Sequence, residues 1–225
     1  MPMRAAVFDF DGVLVDSEPL HFRSLRDSLL TEGVEITEEE YWNVYLAYDD
    51  RGALRRALEQ HGEPADPERI ERLAATKVAR FEALLPEVPV FPGAADLVRA
   101  LHTEVPLAVA SGARHVEVDA ILRGVGLRDA FTAIVGAEDA PRTKPDPAPY
   151  LEAVRQLAAT GRALAPADCV AIEDSVPGIA SALASGMKVV GVAHSYPAEK
   201  IRAAHRVVSS LVGLSPADLR GLFED

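Results

Sequence analysis

The sequence predicts an α/β protein: a doubly wound, Rossmann-like parallel sheet with a four-helix domain inserted after its first strand. Three observations lead there. Short runs that are apolar throughout recur along the chain, the pattern of strands covered on both faces. Helix-length segments with apolar residues three and four apart separate them. Between about residue 19 and residue 85 the alternation stops, and only helical patterns remain.

The first strand is Ala5–Phe8. The insert follows as helices over Leu20–Leu30, Glu38–Leu46, Gly52–Leu58 and Glu68–Leu85, with a break at Pro64 to Pro67. Thr37-Glu38-Glu39-Glu40 reads as a helix N-terminus, where acidic side chains suit the dipole. Tyr41, Trp42, Tyr45 and Tyr48 read as the interior of the insert, with Tyr48 also a candidate to face a ligand. The alternation then resumes with strands at Leu107–Ala110, Ala133–Val135, Cys169–Ile172, Val189–Val192 and Val207-Val208. Helices at Ala94–Leu101, Val116–Leu122, Pro149–Leu157 and Ile179–Leu183 lie between them, started by Pro92-Gly93, Pro147 and Pro177-Gly178. Gly124-Val125-Gly126 follows a helix rather than a strand and reads as a C-cap. The expected division is a core of residues 1–17 and 86–225 around an insert of 18–85.

Length and charge narrow the function. At 225 residues the chain is about one and a half typical domains, and it needs no disulfide or metal to fold. A net charge of −12 argues against nucleic acid and anionic membranes as partners. A single cysteine excludes a disulfide framework and fits a reducing compartment, so the expected location is the cytoplasm. No apolar stretch approaches the roughly 18 residues of a membrane helix. The expected assembly is a monomer or a weak homodimer.

Chemistry concentrates at the predicted strand ends. Asp9-Phe10-Asp11-Gly12-Val13 closes the first strand, where open parallel sheets bind ligands. Two carboxylates beside a glycine turn repel each other, and a divalent cation with a taste for hard oxygens, such as Mg2+, offsets that cost. By itself the pair reads sooner as solvated turn aspartates. Ile172-Glu173-Asp174-Ser175 repeats the theme at another strand end, although Asp174 or Ser175 alone could be a helix cap. Ser111-Gly112 offers a hydroxyl and close backbone approach for a phosphate oxygen, or equally a cap for the next helix. Lys144 is held out of helical geometry by Pro145 and supplies a point charge beside the acidic cluster. Cys169, inside an apolar run, reads as an inert buried thiol. The remaining histidines show no metal-ligand spacing.

In this order, Asp9-x-Asp11, Ser111, Lys144 and Glu173-Asp174 resemble the haloacid dehalogenase superfamily nearly end to end. The stretch from Asp9 through Asp16-Ser17-Glu18-Pro19-Leu20-His21 resembles its sugar-phosphate phosphatases and β-phosphoglucomutase-like enzymes, whose insert is a helical cap. The resemblance implies an Mg2+-dependent phosphatase acting on a small phosphorylated metabolite. It implies Asp9 as nucleophile, forming an aspartyl phosphate, and Asp11 as general acid and base. It also implies a metal on the Asp9 carboxylate, the Asp11 carbonyl and Asp174, with Glu173 close by. Ser111, Gly112 and Lys144 would hold the phosphoryl oxygens. Asp11 separates the chain from the dehalogenases, which lack this aspartate. The mutase alternative rests on His21 and Lys77, yet its Gly-x-Ser-Arg cap loop is replaced by Ala47-Tyr48-Asp49-Asp50-Arg51-Gly52. His21, Arg51 and Lys77 are the cap candidates for substrate contact, with Arg51 and Lys77 otherwise expected as exposed helix charges. A non-catalytic binding module is the alternative of a different kind.

Overall fold

The computed structural model describes residues 2–161 and 163–224. It forms two compact units, one of Met1–Asp16 with Pro89–Asp225 and one of Ser17–Val88. In the first, six parallel strands build one sheet: β1 (Ala5–Phe8), β2 (Leu107–Ala110), β3 (Phe131–Val135), β4 (Cys169–Glu173), β5 (Lys188–Val192) and β6 (Arg206–Val208). Their order is β3-β2-β1-β4-β5-β6. Every residue of β1, β2 and β4 is buried, which is why these strands are apolar throughout. Strand β3 begins two residues before its expected start, because exposed Thr132 interrupts the apolar pattern behind Phe131.

The unit Ser17–Val88 is helical: α1 (Glu18–Leu30), α2 (Glu38–Glu40), α3 (Asp50–Gln60) and α4 (Pro67–Leu84). Phe22, Leu25, Leu29, Leu54, Leu58 and Leu73 share its core. Thr37 closes a capping box with Glu40, as the run of glutamates suggested. The expected helix over Glu38–Leu46 is not one α-helix: α2 is a single turn that passes into a π-helical segment, Tyr41–Tyr45. That segment points Tyr41 and Tyr45 inward and leaves Trp42 43% exposed; Tyr48, beyond it, is 50% exposed, so only two of the four aromatics form interior. Helix α3 starts two residues early because Asp49 accepts a hydrogen bond from the Gly52 N–H at 2.8 Å, a cap worth about 1 kcal/mol.

Around the sheet run α5 (Ala94–His102), α6 (His115–Gly124), α7 (Ala148–Ala158), α8 (Val176–Ser185) and α9 (Pro216–Arg220). Ala5, Val7 and Ala171 of the central strands pack with Tyr150 and Val154 of α7 and Ile179 of α8. The chain leaves this unit after β1 and re-enters it before α5, and the two crossings are tied together. Asp16 N–H donates to Pro89 O at 2.9 Å, and Phe91 N–H to Leu14 O at 3.0 Å.

Candidate active site

Strand order reverses between β1 and β4, which creates a crevice at their carboxyl ends. Phe8 pairs with Ile172, so Asp9 follows β1 level with Glu173, and the Asp9 N–H donates to Ile172 O at 2.9 Å. On the other side of β1, Val109 of β2 pairs with Phe8, which brings Ser111 to the same rim. Lys144 enters from the loop after β3, next to a cis peptide bond to Pro145.

Charge and burial are concentrated here. The carboxylates of Asp9, Glu173 and Asp174 are all buried and lie within 4.8 Å of one another, a hard-oxygen set that can hold a divalent metal ion. Lys144 Nζ donates to Asp9 Oδ1 and to Glu173 Oε1, both at 2.6 Å. Burial would depress the lysine, but the Asp9 and Glu173 charges outweigh it and hold the ammonium above its ordinary value. Burial, and then the charge of Glu173, pushes Asp9 well above the usual carboxylate range, with Lys144 opposing. Burial likewise raises Asp174, to about 6.

The three carboxylates are not equivalent. Glu173 takes five hydrogen bonds: Lys144 and the Tyr150 hydroxyl on Oε1, and the Asp174 N–H, Ser175 N–H and Ser175 hydroxyl on Oε2. Both its oxygens are therefore committed to the protein. Gly178 makes room for it, since a Cβ there would collide with the Glu173 carboxylate. Asp174 accepts from the Ser195 hydroxyl. Ser175, not Asp174, caps α8, through the Gly178 N–H.

Asp11 sits on a tight turn in which the Leu14 N–H donates to Phe10 O at 2.8 Å and the Gly12 N–H to Val15 O at 2.9 Å. Gly12 has φ +81°, and a Cβ there would run into the Asp174 carboxylate, so the turn requires glycine twice over. The Asp11 carboxylate is outside the three-carboxylate group. Ser111 is buried and accepts from the Ala113 N–H at 2.9 Å; Arg114, not Ser111, stands at the N-cap of α6. A cavity of about 170 Å³ is lined by Ser111, Gly112, Gly136, Arg142, Thr143 and Lys144.

The other candidates lie in the helical unit. Lys77 is not the exposed charge expected of it: it is 3% exposed, bonded to Asp50 Oδ1 at 2.7 Å and to His21 Nδ1 at 2.8 Å. His21 stacks on Phe81 at 4.2 Å. Arg51 is exposed, as expected, and forms a forked pair with Glu71 at 2.6 and 2.7 Å. Sequence reasoning missed Tyr150 and Ser195. The need of a buried tyrosine for a polar partner signals the first, and position just past β5, at the same sheet rim, signals the second. Cys169 is buried as expected, its thiol pushed up to about 12 by burial.

A parallel sheet that gathers buried carboxylates and one part-buried lysine at its switch point is the frame of one class of hydrolase. Residues 3–186 match the haloacid dehalogenase-like hydrolases, and the chain belongs to that family. It is 33% identical over 221 residues to hexitol phosphatase B of Escherichia coli O157:H7, covering 96% of both chains. It is 31% identical over 189 residues to fructose-1-phosphate phosphatase YqaB of E. coli K12, covering 83% of this chain and 94% of that one. The crystal structure of CbbY from Rhodobacter sphaeroides in complex with xylulose-(1,5)bisphosphate superposes with a TM-score of 0.76 at 28% identity, covering 97% and 99%. Among the described residues, no helix is long and apolar enough to cross a membrane.

Proposed function

We propose that this chain is an Mg2+-dependent phosphatase that hydrolyses a small sugar or sugar-alcohol phosphate through an aspartyl phosphate on Asp9. The observation that carries the reading is Asp9 itself, a buried carboxylate at the switch point bonded to a part-buried lysine at 2.6 Å. Relatives named for a hexitol phosphate and for fructose 1-phosphate support the substrate class.

Asp9 attacks phosphorus, and its new O–P bond replaces the bond to the leaving oxygen. Asp11 donates a proton to that oxygen, then takes one from the water that releases phosphate from Asp9. Ser111, Gly112 and Lys144 hold the phosphoryl oxygens, Lys144 as a fixed positive charge. Asp9, Asp174 and the Asp11 carbonyl would hold the metal. Glu173, with both oxygens committed, instead orients Lys144. When bound, Mg2+ supplies the positive charge that lets a dianionic phosphate approach carboxylates.

The test is phosphate release from hexitol phosphates, fructose 1-phosphate, xylulose 1,5-bisphosphate, phosphoglycolate and nucleoside monophosphates, with Mg2+ or with EDTA. Mg2+-dependent release, fastest from the sugar or sugar-alcohol phosphates, is expected. Release that survives thorough chelation, or none from any of them, contradicts the proposal.

The carboxylates also set a pH dependence. A carboxyl raised on folding contributes stability that is complete below its unfolded value and lost as pH rises through its folded value. For Asp174 that window runs from the ordinary 3.8 to about 6, and Asp9 shifts the same way. Metal binding needs both ionised and removes their repulsion. Mg2+ is therefore expected to raise the melting temperature by several degrees more at about pH 7.5 than at about pH 5. An equal rise at both, measured by calorimetry, contradicts this.

A further inference from the structure

The chain just past β5 makes a contact that the chemistry above leaves unused. His194 Nδ1 lies 2.8 Å from the Gly12 carbonyl oxygen, and its ring stacks on Phe91 at 4.2 Å and 14°. A carbonyl only accepts, so Nδ1 carries the proton and donates. The peptide it grips immediately follows Asp11. Gly12 is the most permissive residue of that turn, at φ +81° with no side chain to restrict it. Its neighbours on the turn are tied by Leu14 N–H to Phe10 O and Phe91 N–H to Leu14 O, and the Gly12 carbonyl is a point where a side chain from outside grips the turn. The base of the His194 loop is itself anchored, Ala193 N–H donating to Val208 O at 2.9 Å. The next residue, Ser195, donates to Asp174. One dipeptide thus contacts both the turn that bears Asp11 and a carboxylate of the acidic cluster.

We propose that His194 is a positioning residue: through the Gly12 carbonyl it fixes the turn that aims Asp11 at the leaving oxygen. The inference rests on the reading of Asp11 as the proton donor. Small errors in aim are costly, since a shift of about 1 Å in a reacting group lowers rates by about a hundredfold.

The test compares kcat/KM of the Mg2+-loaded enzyme on phenyl phosphate, whose leaving oxygen is strongly basic, and on p-nitrophenyl phosphate, whose leaving oxygen needs little proton donation. His194→Ala is expected to lose about 10- to 100-fold on phenyl phosphate and severalfold less on p-nitrophenyl phosphate. Asn and Gln both remove the ring and its stacking on Phe91, but only Asn places an N–H donor where Nδ1 stood. His194→Asn is therefore expected to stay within a few-fold of the parent on phenyl phosphate, and His194→Gln to behave like His194→Ala. This comparison holds even if the alanine variant folds poorly. Normal activity in His194→Ala overturns the proposal, and so does an equal loss in Asn and Gln variants on both substrates, the mark of a packing role. Asp11→Asn separates the two claims. If it is inactive on phenyl phosphate while His194→Ala is normal, only the positioning role fails; if it is fully active, the proton-donor reading fails and the positioning role with it.

Discussion

Asp9→Asn is expected to lower kcat by about a thousandfold or more while leaving the fold intact. Asparagine has the shape of aspartate but cannot form a stable acyl phosphate in its place. The side chain lies at the rim of β1 rather than within the apolar core, so the sheet has no reason to rearrange. The stability result has a definite sign. Burial and Glu173 already disfavour the charged form of Asp9, so a neutral isostere relieves repulsion in the metal-free protein. In EDTA at about pH 7.5 the variant should melt at or above the parent, an advantage that Mg2+ shrinks by stabilising the parent more. Steady-state kinetics and calorimetry check both halves. Retention of more than about a tenth of the parent activity removes Asp9 from the nucleophile's role.

Lys144→Ala is expected to damage both activity and stability. Its side chain is 13% exposed, and its ammonium bridges the carboxylates of Asp9, whose side chain is 11% exposed, and Glu173, at 0%. Removing it strands a buried carboxylate, and breaking a buried pair this way costs about 3–5 kcal/mol. For a protein of this size that is a fall in melting temperature of about 10 °C. Without the cation the carboxyls favour protonation still more, so their ionisation becomes costlier as pH rises. The deficit should therefore be larger at about pH 7.5 than at about pH 5. Catalysis loses the fixed charge on the phosphoryl oxygens, worth about 10²–10³ in rate by comparison with other preorganised donors. A melting temperature unchanged at both pH values would mean that Lys144 is not paired as described.

The sheet was the most legible part of the molecule. Strands buried on both faces are written as unbroken apolar runs, and β1, β2 and β4 are of that kind. Their carboxyl ends could be located to within a residue, and with them Asp9, Ser111, Glu173 and Asp174. Lys144 was legible as a chemical type beside a proline. That it reaches across from the loop after β3 to bridge Asp9 and Glu173 was not, because separations of 135 and 29 residues are closed only by the fold. The helical unit was read correctly as helical and less well in detail. The inward spacing of Tyr41 and Tyr45 follows from a π-helical segment that periodicity does not distinguish from an α-helix. Lys77 is buried because Asp50, at the start of another helix, and His21, on α1, provide partners. Nothing local to residue 77 signals either.

The most direct test is to quench the enzyme with borohydride during turnover of p-nitrophenyl phosphate and sequence its peptides by mass spectrometry. Borohydride reduces an acyl phosphate to an alcohol, so an aspartyl phosphate at position 9 is recovered as homoserine there. The account predicts homoserine at residue 9, dependent on substrate and on Mg2+, and at no other carboxylate. Modification at Asp11, Glu173 or Asp174 instead, or steady turnover with residue 9 never modified, would contradict it.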